Sequence, residues 1–140
     1  MELYGHPFSS YTWKAQIALH ALDADYDFRE VGADHPDNAA FVQEAHPAGK
    51  FPVLRDGDAV IVEATAIVEY LAASHPEGST LIPADPHKAV DARMLDRVFD
   101  NYVMNAMQES VAEVLRDGAL SPATRARVKA QLDRSYRWID

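Results

Sequence analysis

The stretch from residue 49 to residue 71 constrains the fold most strongly, because it joins the pattern of a β-hairpin to the pattern of a helix. Two short apolar runs, residues 51–55 and 59–62, flank an Asp-Gly-Asp sequence. Aspartate and glycine supply the positive φ that a tight antiparallel connection needs. Apolar residues then recur at the spacing of one helical face, at Ala64, Ile67, Val68, Leu71 and Ala72. The pattern predicts two paired strands and a helix that packs on them.

Two positions in this stretch indicate a ligand site. Glu63 stands at the predicted junction of strand and helix, where the first N–H groups of the helix are unpaired. These N–H groups favour a carboxylate, and the acid of Glu63 favours an amine beside it. Pro52 lies inside the first predicted strand, so that strand either is an edge strand or bends at the proline. A cis Phe51–Pro52 bond is the sharper form of the bend.

The residues of this stretch resemble those of a known family. Gly-Lys-Phe-Pro-Val-Leu, Asp-Gly-Asp and Glu-Ala-Thr-Ala-Ile-Val-Glu-Tyr-Leu follow the pattern of the glutathione-binding half of the glutathione S-transferases. In that family the proline is cis, the next residue's backbone pairs with the cysteinyl part of glutathione, and a Glu-Ser pair holds the γ-glutamyl end. The resemblance gives these roles to Pro52, Val53, Glu63 and Ala64. Ala64 departs from the family pattern, because it has no hydroxyl.

The order of the remaining patterns predicts an α/β domain. A short strand at residues 2–4 precedes a helix capped by Ser9 or Ser10. Trp13 and Ile17 widen the apolar stripe of that helix, so we expect it to be buried on more than one side. A strand at 26–31 returns parallel to the first, and a short helix at 39–45 leads to the hairpin. The resulting order, β-α-β-α-β-β-α, resembles the thioredoxin-like N-terminal domain of glutathione transferases.

Beyond residue 75 the chain is predicted to be a linker followed by helices. Prolines and turn formers fill residues 76–88, and we expect domains at 1–75 and 89–140. A long helix, which should bow or kink, carries an apolar stripe at Leu95, Val98, Phe99, Tyr102 and Ala106. Asp117-Gly118 ends it, and Ser121-Pro122 begins the next helix. Two helices bury their apolar faces poorly, so we expect an all-α C-terminal domain that is incomplete in this chain.

Composition narrows the classes of partner. The net charge of -9 disfavours a nucleic-acid partner, and no run approaches the ~20 apolar residues of a membrane span. The N-terminus lacks the pattern of a signal peptide, which favours a cytoplasmic protein. The sequence has no cysteine, so sulfur chemistry must arrive with a ligand. Its six histidines fit loops and helix ends better than a metal site, and we expect no metal.

The resemblance implies that the thiolate of glutathione attacks an electrophile. The segment Ser-Ser-Tyr-Thr-Trp-Lys at 9–14 resembles the Ser-Ser-Cys-Ser-Trp-Arg motif of the zeta class and the Ser-Ser-Tyr segment of bacterial members. It makes Ser9 the leading donor to the sulfur and Ser10 the second, with helix capping as the alternative role for each. Tyr11 takes the place of the zeta cysteine, which argues against isomerase chemistry. Tyr4 is expected in the core.

Further contacts follow from the same resemblance. Lys50 either pairs with the glycyl carboxylate of glutathione or is a solvated loop lysine. Tyr11, Phe51 and Thr65 complete the predicted glutathione site, and Thr65 replaces the missing hydroxyl of Ala64 only if the helix start shifts. Phe8, Asn105 and Gln108 are candidates for the electrophile pocket, with solvent exposure as the alternative for the two helical residues.

Two functions remain open from the sequence. The first is a cytosolic, homodimeric glutathione transferase that conjugates glutathione to a small electrophile in detoxification. The second is a non-catalytic member of the same fold that acts as a protein-interaction or ligand-binding module. Ala64 favours the second, whereas the serine pair at 9–10 favours the first. The lack of cysteine disfavours a third function, disulfide or dehydroascorbate reduction.

Overall fold

The computed structural model describes residues 1–75 and 80–140. These residues form two compact units, Met1–Ala84 and Asp85–Asp140. Residues 76–79 of the predicted linker lie outside the described residues.

The first unit has the element order that the sequence predicts. Its elements are β1 (Glu2–Gly5), α1 (Ser10–Ala21), β2 (Asp27–Glu30), α2 (Pro36–Ala45), β3 (Val53–Asp56), β4 (Ala59–Val62) and α3 (Ala64–Ser74). The start of α2 was predicted three residues too late. Pro36 begins this helix because a proline in the first turn loses no helical hydrogen bond and already has a helical φ.

The four strands form one sheet in the order β2-β1-β3-β4. β1 pairs parallel with β2, while β3 lies antiparallel to both β1 and β4. The edge-strand alternative for Pro52 is therefore wrong, because β3 is an interior strand. The strand begins at Val53, one residue after the proline, and the Phe51–Pro52 bond is cis.

Alternation along the central strands divides the core between the two faces of the sheet. Leu3 and Leu54 point to one face, where they pack with buried residues of α1 and α3, namely Ala15, Ala18, Leu19, Ile67 and Leu71. Tyr4 and Val53 point to the opposite face, where they pack with Val31 and with Val42 of α2. Tyr4 is buried, as predicted. The prediction that Trp13 and Ile17 are buried is wrong, since 50% and 67% of their surfaces are exposed.

The second unit is entirely helical in its described elements. They are α4 (Pro86–Val98), a π-helical segment (Phe99–Met104), α5 (Asn105–Asp117) and α6 (Pro122–Ile139). The long helix of the prediction corresponds to α4, the π-helical segment and α5, and its predicted bow or kink stays a prediction. Gly118 ends α5 with a φ of 77°, and the Ser121 hydroxyl accepts a hydrogen bond from the Thr124 N–H at the start of α6, both as predicted.

The predicted apolar stripe of the long helix is only partly correct. Ala106 is buried, but Phe99 and Tyr102 are 42% and 52% exposed, and Val103 is buried instead. A π-helical turn is wider than an α-helical turn and shifts the residues that follow it around the axis. The Ser135 hydroxyl of α6 donates to the Tyr102 carbonyl at 3.1 Å, which links α6 to the π-helical segment.

A partly exposed ion cluster joins three strands of the sheet. Glu2 of β1 accepts hydrogen bonds from Arg29 Nε of β2 at 2.9 Å and from Arg55 Nε of β3 at 2.5 Å. The Arg55 guanidinium also lies over the rings of Tyr4 and Phe41, at 5.8 and 5.3 Å from their centroids. The hydrogen bond from Arg55, aided by Arg29, holds the pKa of Glu2 below its ordinary value.

We predict that Glu2→Gln lowers the unfolding free energy at pH 7 by about 1 kcal/mol or less, the scale of partly exposed ion pairs. Because the folded-state pKa is depressed, the contribution of Glu2 is present above its unfolded pKa of about 4.3 and is lost as the pH falls through the folded value. Urea titrations from pH 7 to pH 3 measure this difference. Glu44→Gln, on an exposed side chain of α2, is the charge-matched control. A difference that stays constant over this range would contradict the prediction.

Candidate functional site

The register of the sheet gathers the predicted site residues at one edge. Tyr4 pairs with Val53, and Val53 pairs with Val62. The end of β1, the start of β3 and the end of β4 therefore lie side by side. Three segments meet at this edge: the loop from β1 to α1, the loop before β3, and the junction of β4 with α3.

The loop from β1 to α1 is held by hydrogen bonds within itself. A Cβ on Gly5 would lie 2.4 Å from Thr12 Cγ2, so only glycine allows β1 to approach α1 this closely. The Thr12 hydroxyl accepts from the His6 N–H at 3.3 Å, and Trp13 Nε1 donates to the Pro7 carbonyl at 2.7 Å. The position of the serine that follows this loop is thereby fixed.

Ser9 is the N-cap of α1, and its hydroxyl oxygen accepts from the Thr12 N–H at 3.2 Å. A serine hydroxyl has two acceptor lone pairs and one donor hydrogen. Capping uses a lone pair and leaves the O–H able to donate to an anion, so capping and sulfur binding are compatible for Ser9. Ser10 is the first residue of α1, and both Ser10 and Tyr11 are half-buried.

The loop before β3 depends on a second glycine. Gly49 has a φ of 58°, and a Cβ there would lie 2.4 Å from the Gln43 side-chain amide. Lys50 is exposed to solvent. The Phe51 ring stacks with the His6 ring at a centroid distance of 6.0 Å, which connects this loop to the loop after β1. Pro52 is buried against the start of β3.

Glu63 has an unusual backbone for a residue with a side chain. Its φ of 71° and ψ of 122° lie in a region that costs non-glycine residues about 1–3 kcal/mol and that occurs preferentially at functional sites. Glu63 occupies the N-cap position of α3, but its side chain accepts no hydrogen bond from the described N–H groups of that helix. The side chain is 73% exposed, and Oε1 lies 3.3 Å from His46 Nε2.

The sequence gives no indication of two side chains that complete this arrangement. His46, at the C-terminal end of α2, is buried next to Glu63. Lys14 of α1 donates from Nζ to the Thr65 hydroxyl of α3 at 2.9 Å. Ala64, between Glu63 and Thr65, is 4% exposed. Both contacts join residues far apart in the chain, so no local pattern predicts them.

The charges at the edge suit a zwitterionic peptide. The N-termini of α1 and α3 both open here, and their helix dipoles favour anionic groups. Lys14 and Lys50 add positive charge, while the exposed Glu63 carboxylate suits an amine.

In residues 1–75 and 80–140, no three His, Asp or Glu side chains converge to hold a metal ion. No helix of this described part is long and apolar enough to cross a lipid bilayer.

The residues predicted for an electrophile pocket fall in both units. Phe8 is 85% exposed, and its ring centroid lies 5.9 Å from that of His6. Asn105 begins α5 and lines a cleft of about 360 Å³ within the second unit, together with Asn101, Tyr102, Ala106, Glu109, Arg127, Gln131 and Arg134. Gln108 is half-buried on the same helix. The assignment of these three residues to a substrate pocket stays a prediction.

Comparison with known proteins identifies the first unit. Residues 3–79 match the family model described as glutathione S-transferase, N-terminal domain. A probable maleylacetoacetate isomerase of Caenorhabditis elegans is 36% identical over 93 residues, which are 66% of this chain and 43% of the worm protein. Glutathione S-transferase 1 of Dianthus caryophyllus is 36% identical over 90 residues, 63% of this chain and 40% of that protein. The chain thus spans less than half the length of these two relatives.

Solved structures share the fold. A glutathione S-transferase of Methylobacillus flagellatus KT, solved with glutathione bound, superposes with a TM-score of 0.82 at 26% identity over 99% of this chain and 67% of the other. Glutathione S-transferase 1-6 of Anopheles dirus species B superposes with a TM-score of 0.80 at 20% identity, covering 95% and 64% of the two chains. The chain has a thioredoxin-like α/β N-terminal domain with a four-stranded sheet, followed by a helical region, as predicted.

Proposed function

This chain belongs to the glutathione S-transferase family through its N-terminal domain, and we propose that the protein binds glutathione at the edge where β1, β3 and β4 meet and conjugates it to a small electrophile. One observation carries the proposal. The sheet register brings Ser9, the Val53 backbone and Glu63 to the same edge, each beside the start of a helix or strand. These three groups fit the thiol, the peptide backbone and the amine of one extended tripeptide.

Each part of glutathione has a partner at this edge. Val53 offers its N–H and C=O to the cysteinyl backbone, as an added strand would pair, with Phe51 and Pro52 beside it. Glu63 holds the γ-glutamyl amine, and the N–H groups of Ala64 and Thr65 face the γ-glutamyl carboxylate. Lys50 pairs with the glycyl carboxylate. Tyr11 borders the site from the first turn of α1.

The reaction needs a thiolate. A cysteinyl thiol with a pKa near 8.5 is mostly protonated at neutral pH, so the site must favour the anion. The Ser9 O–H donates to the sulfur, and the N-terminus of α1 adds a favourable dipole. The thiolate electron pair forms a C–S bond to the electrophilic carbon, and the leaving group departs with the electrons of its former bond. Phe8, Asn105 and Gln108 are proposed to contact the electrophile.

We propose conjugation rather than isomerisation. A relative is named as a probable maleylacetoacetate isomerase, and the zeta-like Ser-Ser motif is present here. Tyr11, however, stands where that motif has cysteine, and the sequence contains no cysteine. The same proposal includes a homodimer that works in the cytoplasm in detoxification, with no metal cofactor.

The test is binding and turnover of glutathione by the protein. A ligand that binds only the folded state stabilises it by RT ln(1 + [L]/Kd), about 2.7 kcal/mol at 100 times Kd. We expect a higher Tm in millimolar glutathione, retention on immobilised glutathione, and conjugation of an aryl halide. If neither glutathione nor S-methylglutathione at millimolar concentration changed the Tm, a non-catalytic interaction module would be favoured.

The two serines should differ in turnover. Ser9→Ala is expected to lower kcat by roughly 10- to 1000-fold, the scale for loss of one preorganised donor to an anion, and Ser10→Ala is expected to lower it less. Because Ser9 also caps α1, its alanine variant should unfold at a lower urea concentration, with an unfolding free energy lower by about 1 kcal/mol. Ser9→Thr keeps both the cap and the donor and serves as the control. Near-normal rates in both alanine variants would exclude a role of either hydroxyl in thiol activation.

Ala64→Ser should tighten glutathione binding by roughly ten- to a hundredfold. It adds a hydroxyl that can donate to the γ-glutamyl carboxylate, and hydrogen bonds to charged groups contribute about 1.5–3 kcal/mol. Thr65→Ala is the comparison and should change affinity little, since Thr65 is rotated by about 100° from Ala64 around the axis of α3 and its hydroxyl therefore points elsewhere. Titration calorimetry measures both. An unchanged affinity for Ala64→Ser, together with a large loss for Thr65→Ala, would assign the role to Thr65.

A further inference from the structure

We infer that His46 is a positioning residue, which holds the Glu63 carboxylate in place for the α-amine of a γ-glutamyl ligand. This inference rests on the proposed glutathione site and deepens it. His46 lies outside the stretch that resembles the family, and its role comes from the contacts of its imidazole ring.

The two partners differ sharply in their surroundings. The His46 side chain is 7% exposed, whereas the Glu63 side chain is 73% exposed. His46 is held at the end of α2 by its own backbone, whose N–H donates to the Val42 carbonyl at 3.0 Å and whose carbonyl accepts from the Gly49 N–H at 2.8 Å. A buried, anchored ring therefore contacts a long side chain that extends into solvent.

The hydrogen bonds of the ring assign its tautomer. His46 Nδ1 accepts from the Ala48 N–H at 3.0 Å, so Nδ1 carries a lone pair. In the neutral ring the hydrogen is then on Nε2. Nε2 lies 3.3 Å from Glu63 Oε1 and faces it as a donor, in a contact slightly longer than a usual N–H···O hydrogen bond.

The contact with His46 orders the Glu63 carboxylate before the ligand binds. An exposed glutamate has three rotatable side-chain bonds, and ordering it on binding costs entropy. When Nε2–H holds Oε1, the other oxygen, Oε2, stays available to the ligand amine in a preset direction. His46 does not touch the ligand, since it acts through Glu63.

The same ring also joins the two walls of the site. Its Nδ1 contact shapes residues 46–49, which lead into the loop before β3, and its Nε2 contact fixes the residue that precedes α3. The two roles separate by substitution. Asparagine places an oxygen near the Nδ1 position and keeps the turn, whereas glutamine places an N–H donor near the Nε2 position and keeps the contact with Glu63.

The experiment compares two ligands, glutathione and glutaryl-cysteinylglycine, which lacks the α-amine. Titration calorimetry is run on the wild type, His46→Asn, His46→Gln and Glu63→Gln. We expect His46→Asn to weaken glutathione about tenfold, the scale of one hydrogen bond to a charged group, and to leave the affinity for the des-amino ligand unchanged. His46→Gln should keep most of the preference for the amine, and Glu63→Gln should lose it.

A second measurement does not need a ligand. The ¹⁵N resonances of the His46 ring should show the Nε2–H tautomer in the wild type, and the Nε2 resonance should move in Glu63→Gln. This measurement also holds if His46→Asn does not fold, as judged by its unfolding midpoint.

The outcomes separate the inference from the function. Equal weakening of both ligands by His46→Asn would reduce His46 to a structural residue, and so would a ring that carries its hydrogen on Nδ1. Unchanged affinities in both His46 variants would also overturn the inference and leave the proposed function standing. A wild type that binds neither ligand would overturn the proposed function itself.

Discussion

The pairing of β3 between β1 and β4 is the constraint on which the site depends. Because Val53 is opposite Tyr4 on one side and Val62 on the other, three chain segments end at the same edge of the sheet. A slip of one residue in this register would turn every side chain of β3 to the other face. Leu54 would then leave the core formed with α1 and α3, so the same apolar residues that stabilise the domain also hold the binding edge together.

Most helices and strands of the first unit can be predicted from local sequence patterns because they are short and clearly separated. The hairpin signal at residues 56–58 and the helical spacing after Glu63 each predict an element within a few residues of its bounds. The errors have local physical reasons. Pro36 starts a helix rather than preceding one, and the exposed Trp13 and Ile17 show that apolar periodicity alone does not tell which side of a helix is covered.

The site is predictable only in part, for a different reason. Residues such as Ser9 and Glu63 belong to motifs that are continuous in sequence, so their places at helix starts follow from the pattern. His46 and Lys14 act through contacts that span 17 and 51 residues, and these depend on the packing of the helices and the loop before β3 against one another. A single sequence carries no signal for such pairs.

The π-helical segment has a consequence for how this long helix tolerates change in its length. A π turn holds one residue more than an α turn, so every residue after Met104 is rotated by about 100° relative to an unbroken α-helix. Loss of one residue from this segment would restore the regular helix and rotate Ala106, which is buried, to another side of the helix axis. An insertion or deletion in this helix therefore acts as a rotation of everything beyond it, whereas one in the loop at 118–121 would change only the length of the connection.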